Sequence, residues 1–169
     1  MHILLATDAD WIVDEVTAAL GGPETSFTVC REGRAVAGVM AERDVDLAVL
    51  DLQIGSMGGM AITMALRLDE TGGTLPHVPI IMLLDRQADV FLAQRSGADG
   101  WLVKPLDALR LKRALLAVME GGTFTEGVPS DDEPEVAEAA ADEPGEDDED
   151  ADEASADDAA PEEEPATAG

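Results

Sequence analysis

The chain has 169 residues, with 37 acids against 10 bases, and its net charge of −27 argues against nucleic acid or an anionic membrane as a direct partner. The imbalance is uneven: from Glu126 onward there are 20 acids and no Lys or Arg, which leaves 17 acids against all 10 bases in residues 1–125. A single cysteine, Cys30, excludes an internal disulfide and suits a reducing cytoplasm. No apolar run reaches the ~18 residues of a membrane span, and the start lacks the basic region of a secretion signal.

Residues 2–6, HILLA, form a short continuous apolar run, the mark of a strand buried on both faces. A helix follows, with Ile12, Val13, Val16, Ala19 and Leu20 at helical spacing, and Gly21, Gly22 and Pro23 stop it. Residues 26–29 read as a second strand. The next helix turns Ala35, Val36, Val39 and Met40 inward. Residues 47–50 are the third strand, ending at Asp51 and a glycine-rich loop. A helix over 59–69 leads to the most apolar strand, 78–84, then a helix over 86–95 and a fifth strand over 100–103. The last helix spans 105–120, with Leu106, Leu109, Leu115, Leu116 and Met119 as its buried stripe, and Gly121 and Gly122 end it.

Five strands alternating with five helices predict right-handed βαβ units around a parallel sheet. The folded domain is set at residues 1–122. Residues 123–169 form an acidic, Ala/Pro-rich tail with too few large apolar side chains to offset the entropy lost on ordering, so it is expected to be disordered. A tail of this charge could contact a basic surface on a partner protein. A chain cut after Gly122 is expected to keep its stability.

Sites in open α/β sheets lie at the carboxyl ends of the strands. Asp8, Asp51, Asp85 and Lys104 all sit just past a strand end, so two strand-end carboxylates, Asp8 and Asp51, and the Lys104 ammonium are expected to converge. Neighbouring carboxylates repel unless a cation sits between them, and hard oxygen ligands suit Mg²⁺. A carboxylate is also a competent nucleophile toward an activated phosphoryl group, whose charge Mg²⁺ and a lysine can neutralise. Cys30 has no visible partner base to activate its thiol, and His2 and His77 share no metal-ligand spacing.

The stretches ILLATD, AVLDLQIGSMGG, PIIMLLD and SGADGWLVKPL, in that order, resemble the receiver domain of bacterial two-component response regulators over about residues 1–121. The resemblance implies a CheY-like, flavodoxin-like (βα)5 fold with strand order 2-1-3-4-5. It implies Asp51 as phosphoacceptor, Lys104 as the phosphate-contacting lysine before a cis bond to Pro105, and Mg²⁺ held by Asp8, Asp51 and the backbone carbonyl of Gln53. Leu84 and Trp101 occupy the family's switch positions. A sensor histidine kinase, or another signalling protein, is the implied partner. Receivers often pair through the face of the fourth helix, fifth strand and fifth helix, which here holds Arg95, Arg110 and Lys112.

The chain also departs from the family. Thr7 stands where a second acid helps to hold the metal. Leu84 stands where a hydroxyl binds the phosphoryl group, and Asp85 where a small residue leaves access. Gly55 replaces a common loop proline. Weak metal binding and weak phosphorylation follow as expectations. Two functions are therefore carried forward: a single-domain, cytoplasmic response regulator without direct DNA contact, and a phosphorylation-independent pseudo-receiver that serves as an interaction module. An enzyme on this fold lacks support, because no Gly-x-Gly-x-x-Gly follows the first strand.

Overall fold

The computed structural model describes residues 1–126. Five short apolar runs become strands because each is covered on both faces: β1 (His2–Ala6), β2 (Ser26–Cys30), β3 (Leu47–Asp51), β4 (Ile80–Leu84) and β5 (Gly100–Val103). Between them lie α1 (Asp10–Leu20), α2 (Val36–Glu42), α3 (Gly59–Thr71) and α4 (Val90–Ser96), and α5 (Ala108–Met119) follows β5. Every side chain of β3 and β4 is buried, which is why these segments read as unbroken apolar runs rather than as alternation.

All strand pairings are parallel, and the order is β2-β1-β3-β4-β5-β6. The expected order 2-1-3-4-5 is therefore present, with one addition. A two-residue strand β6 (Phe124–Thr125) lies against β5, pairing Gly100 with Phe124 and Trp101 with Thr125. The boundary placed at residue 122 falls short of this strand and of Glu126, whose backbone carbonyl accepts the Trp101 indole N–H at 2.8 Å. A cut after Gly122 would remove this pairing and this contact. The other expectations for the tail, residues 127–169, fall outside the described residues.

The helices cover the sheet on both faces. One core cluster joins Ile3, Leu5, Val49 and Leu83 to α1 and α5; another joins Leu4, Ala48 and Leu50 to α2 and α3. The expected inward face of α1 is largely met, since Ile12, Val16, Ala19 and Leu20 are buried. That of α5 is not. Leu111, Ala114 and Val118 are buried, whereas Leu109, Leu116 and Met119 are exposed. Asp107 caps the helix by accepting from the Leu109 and Arg110 amides, so α5 begins at Ala108 rather than at 105. Ala35 is exposed too, because residues Gly33–Ala35 form a 3-10 turn ahead of α2. A similar turn, Gln87–Asp89, precedes α4, which begins at Val90 rather than at 86.

Cys30 ends β2 in a buried position, and burial pushes its thiol above the ordinary value. Less thiolate and little access should make alkylation of the native chain at pH 8 at least ~10-fold slower than in denaturant, as read by timed mass spectrometry. Equal rates in the two states would contradict the burial. Among the described residues, no helix is long and apolar enough to cross a membrane.

Candidate functional site

The chain runs from β1 outward to β2, then returns to β3 and continues through β4 and β5 in the other direction. The switch point therefore lies between β1 and β3, where helices leave on opposite faces and a crevice opens at the strands' carboxyl ends. Thr7 and Asp8 follow β1, and Asp51 closes β3 beside them. Sequence and topology together put the carboxylate at this crevice.

Asp51 is held on all sides. Its side chain is 4% exposed, and Lys104 Nζ lies 2.8 Å from Oδ1. The backbone N–H of Gln53 also donates to Oδ1, at 3.2 Å. The Thr7 hydroxyl, itself fully buried, donates to Oδ2 at 2.9 Å and accepts from the Ala9 amide at 3.2 Å. Burying a carboxylate costs several kcal/mol unless it is paired and hydrogen-bonded, and these three donors meet that condition.

Lys104 is placed by the end of β5, where its amide donates to the Leu84 carbonyl at 2.8 Å and its bond to Pro105 is cis. Its ammonium bridges two carboxylates, Asp51 and Asp85, the latter at 3.1 Å. The same Nζ lies 5.8 Å from the centroid of the Trp11 ring, within cation–π range. The sequence marks Asp85 as a like charge facing an incoming phosphoryl group. The geometry adds that Asp85 shares the Lys104 ammonium with Asp51. Trp11 carries no sequence signal as a partner of Lys104; it lies in the first turn of α1, three residues after Asp8.

Asp8 is exposed, and its Oδ2 accepts from the Gly55 amide at 3.2 Å. This bond ties the loop after β3 to the end of β1. The loop's return into α3 needs a glycine: a Cβ at Gly59 would lie 2.7 Å from the Asp51 carbonyl oxygen. Gly59, the first residue of α3, thereby lets that helix start against the strand that carries Asp51.

For a metal, the donor set is thin. Among the described residues no group of three or more His, Cys, Asp or Glu side chains converges. Asp8 and Asp51 supply hard oxygens of the kind Mg²⁺ takes, and Mg²⁺ commonly keeps several waters, so the pair fits the ion in type. Thr7 adds no charge and already spends its proton on Asp51.

Leu84 and Trp101 meet in one apolar cluster with Leu52, Met82, Val90 and Ala93, and Trp101 is only 4% exposed. Leu84 has no hydroxyl to offer the crevice. The Trp101 indole N–H is satisfied by Glu126 rather than by solvent. Glu126 is the contact the sequence reading missed, since it lies in the stretch taken for tail. The two histidines serve the fold: His2 bonds the Asp44 carbonyl and Thr28, and His77 bonds Glu70.

The family model for the response regulator receiver domain matches residues 3–116. The transcriptional regulatory protein CseB of Streptomyces coelicolor is 30% identical over 135 residues, covering 75% of this chain and 55% of that protein. The DNA-binding response regulator MtrA of Mycobacterium tuberculosis is 31% identical over 106 residues, 62% of this chain and 44% of that protein. This chain thus spans about half the length of these relatives. Among solved structures, the chemotaxis response regulator CheY4 of Vibrio cholerae superposes with a TM-score of 0.61 at 24% identity, covering 69% of this chain and 97% of that one.

Proposed function

The chain belongs to the response regulator receiver domain family, the signal-receiving module of two-component systems, and from that premise we propose that it relays a signal through protein–protein contacts with Asp51 as its phosphoacceptor. The observation that supports this best is the Asp51–Lys104 pair, 2.8 Å apart at the sheet's switch point. In the transfer, an Asp51 carboxylate oxygen forms a bond to phosphorus as the donor's bond to phosphorus breaks, and that electron pair leaves with the donor. Lys104 neutralises charge on the transferring group. Asp8, Asp51 and the Gln53 carbonyl are the ligands proposed for Mg²⁺, which when bound would neutralise further charge there. A sensor histidine kinase or another signalling protein is the proposed donor.

The relatives' names include transcriptional and DNA-binding regulators. For the domain described here we favour protein partners over DNA, because residues 1–125 carry 17 acids against 10 bases. The single cysteine, Cys30, fits a reducing cytoplasm.

A second reading has its own support. Asp85 already pairs with Lys104 and the Thr7 hydroxyl already satisfies Asp51, so the charges that phosphate and metal would balance are partly balanced without them. This favours a pseudo-receiver whose surface acts without phosphorylation. Incubation with Mg²⁺ and acetyl phosphate, followed by intact mass measurement, separates the two. The first reading expects one added phosphoryl group in the wild type and none in Asp51→Asn. An addition that survives Asp51→Asn would remove Asp51 from the role, and no addition at all leaves the pseudo-receiver.

A further inference from the structure

A sheet ending on β5 would expose that strand's N–H and C=O groups, an open template for another strand. Here the edge is filled from within. Phe124 and Thr125 pair in parallel with Gly100 and Trp101, and Phe124 packs against the cluster that contains Leu102, Leu111 and Val118. Gly100 permits the approach, since a Cβ there would lie 3.1 Å from the Phe124 carbonyl oxygen and 3.2 Å from its Cβ.

The ladder then ends in an unusual way. The Val103 amide is satisfied by the Glu126 side chain, donating to Oε2 at 2.8 Å. That same oxygen pairs with Arg110, and Glu126's backbone oxygen takes the Trp101 indole N–H. Arg110 is braced independently, donating to the Val103 and Pro105 carbonyls at 2.9 Å. The receptor side of this contact, made of the β5 edge, Arg110 and the indole of Trp101, is therefore built by the domain itself. The occupant is two strand residues and one ion pair. Segments this short open locally at low free energy.

We propose that residues 124–126 are a displaceable occupant of a strand-docking site on the β5 edge, and that this site accepts an extended partner segment carrying an aromatic residue and, two positions later, a carboxylate. Main-chain hydrogen bonds to β5 supply binding, the Phe124 position and Arg110 supply selectivity, and exchange of occupants frees or holds the Trp101 indole. The site is separate from the Asp51 crevice and does not depend on phosphorylation.

Hydrogen exchange on the full chain, followed by NMR without any phosphodonor, tests this. Glu126→Gln removes the negative charge that pairs with Arg110 while keeping the shape, so the Trp101 indole N–H and the Val103 amide should exchange roughly 10-fold faster. The amide of Ile81, deep in β4, should be unchanged. A peptide copying residues 123–127, added at millimolar concentration to the Glu126→Gln chain, should slow both protons again. The same peptide with Gln for its acid should not. Three results would overturn the proposal: unchanged exchange in Glu126→Gln, acceleration that includes Ile81, or no protection by the acidic peptide. Because no phosphoryl transfer enters the measurement, its failure would leave the reading of Asp51 untouched.

Discussion

Asp85→Ala is expected to raise the rate at which Asp51 accepts phosphate from a small donor by roughly 10- to 100-fold. In the proposed transfer Asp85 would act twice against the reaction: it draws on Lys104 at 3.1 Å, and it would place a negative charge beside an arriving anion. Two unit charges about 6 Å apart interact by about 1–3 kcal/mol at the effective dielectric of a partly exposed site, and each 1.4 kcal/mol is a factor of ten in rate. The Asp85 side chain is 39% exposed, so its removal leaves no cavity. Adding Leu84→Thr restores a hydroxyl at the switch position and should make Trp101 fluorescence respond to the phosphodonor, at a cost of about 2 kcal/mol or more from a fully buried site. Intact-mass time courses give the rate. A rate unchanged or lowered in Asp85→Ala would mean that Asp85 is a working part of the site rather than an obstacle.

The parallel sheet and its site edge were legible because both rest on strong local signals. Residues 47–50 and 78–84 are apolar without alternation, and a strand-end Asp51 with a later Lys104-Pro105 marks the sheet edge at which those two side chains meet. Helix faces were harder. α5 has leucines around most of its circumference, so two stripes compete, and the larger side chains of Leu109, Leu116 and Met119 outweigh the smaller set that is buried. Ala114 lies on the buried side, where α5 packs against α1, and a small residue there permits close approach. Pattern counts that favour size miss that signal. The partners of Asp85 and Thr7 were not legible at all, because Lys104 and Asp51 are 19 and 44 positions away, respectively, and only the folded sheet edge brings each pair together. β6 failed for a different reason. Two residues carry no periodicity, and the acidic composition that follows masks Phe124, whose aromatic ring is the one local hint that the chain is still folding.

That misplaced boundary yields the other large effect. A chain ending at Gly122 should melt about 10 °C below one ending at Glu126, although only residues 123–126 separate them. The shorter chain loses the partly buried Phe124 ring, the β5–β6 pairing, and the carboxylate on Val103 and Arg110. It also leaves the Trp101 indole N–H without its acceptor in a side chain that is 4% exposed, a loss that alone costs about 1–3 kcal/mol unless water enters. A total of about 3 kcal/mol in a domain of this size corresponds to roughly 10 °C. Paired thermal melts of the two chains by circular dichroism measure it, and a red-shifted Trp101 emission in the shorter one would locate the loss at β5. If both chains melt together, β6 is an adornment of the edge, and the residues that hold Trp101 inward must be sought in Leu84 and α4 instead.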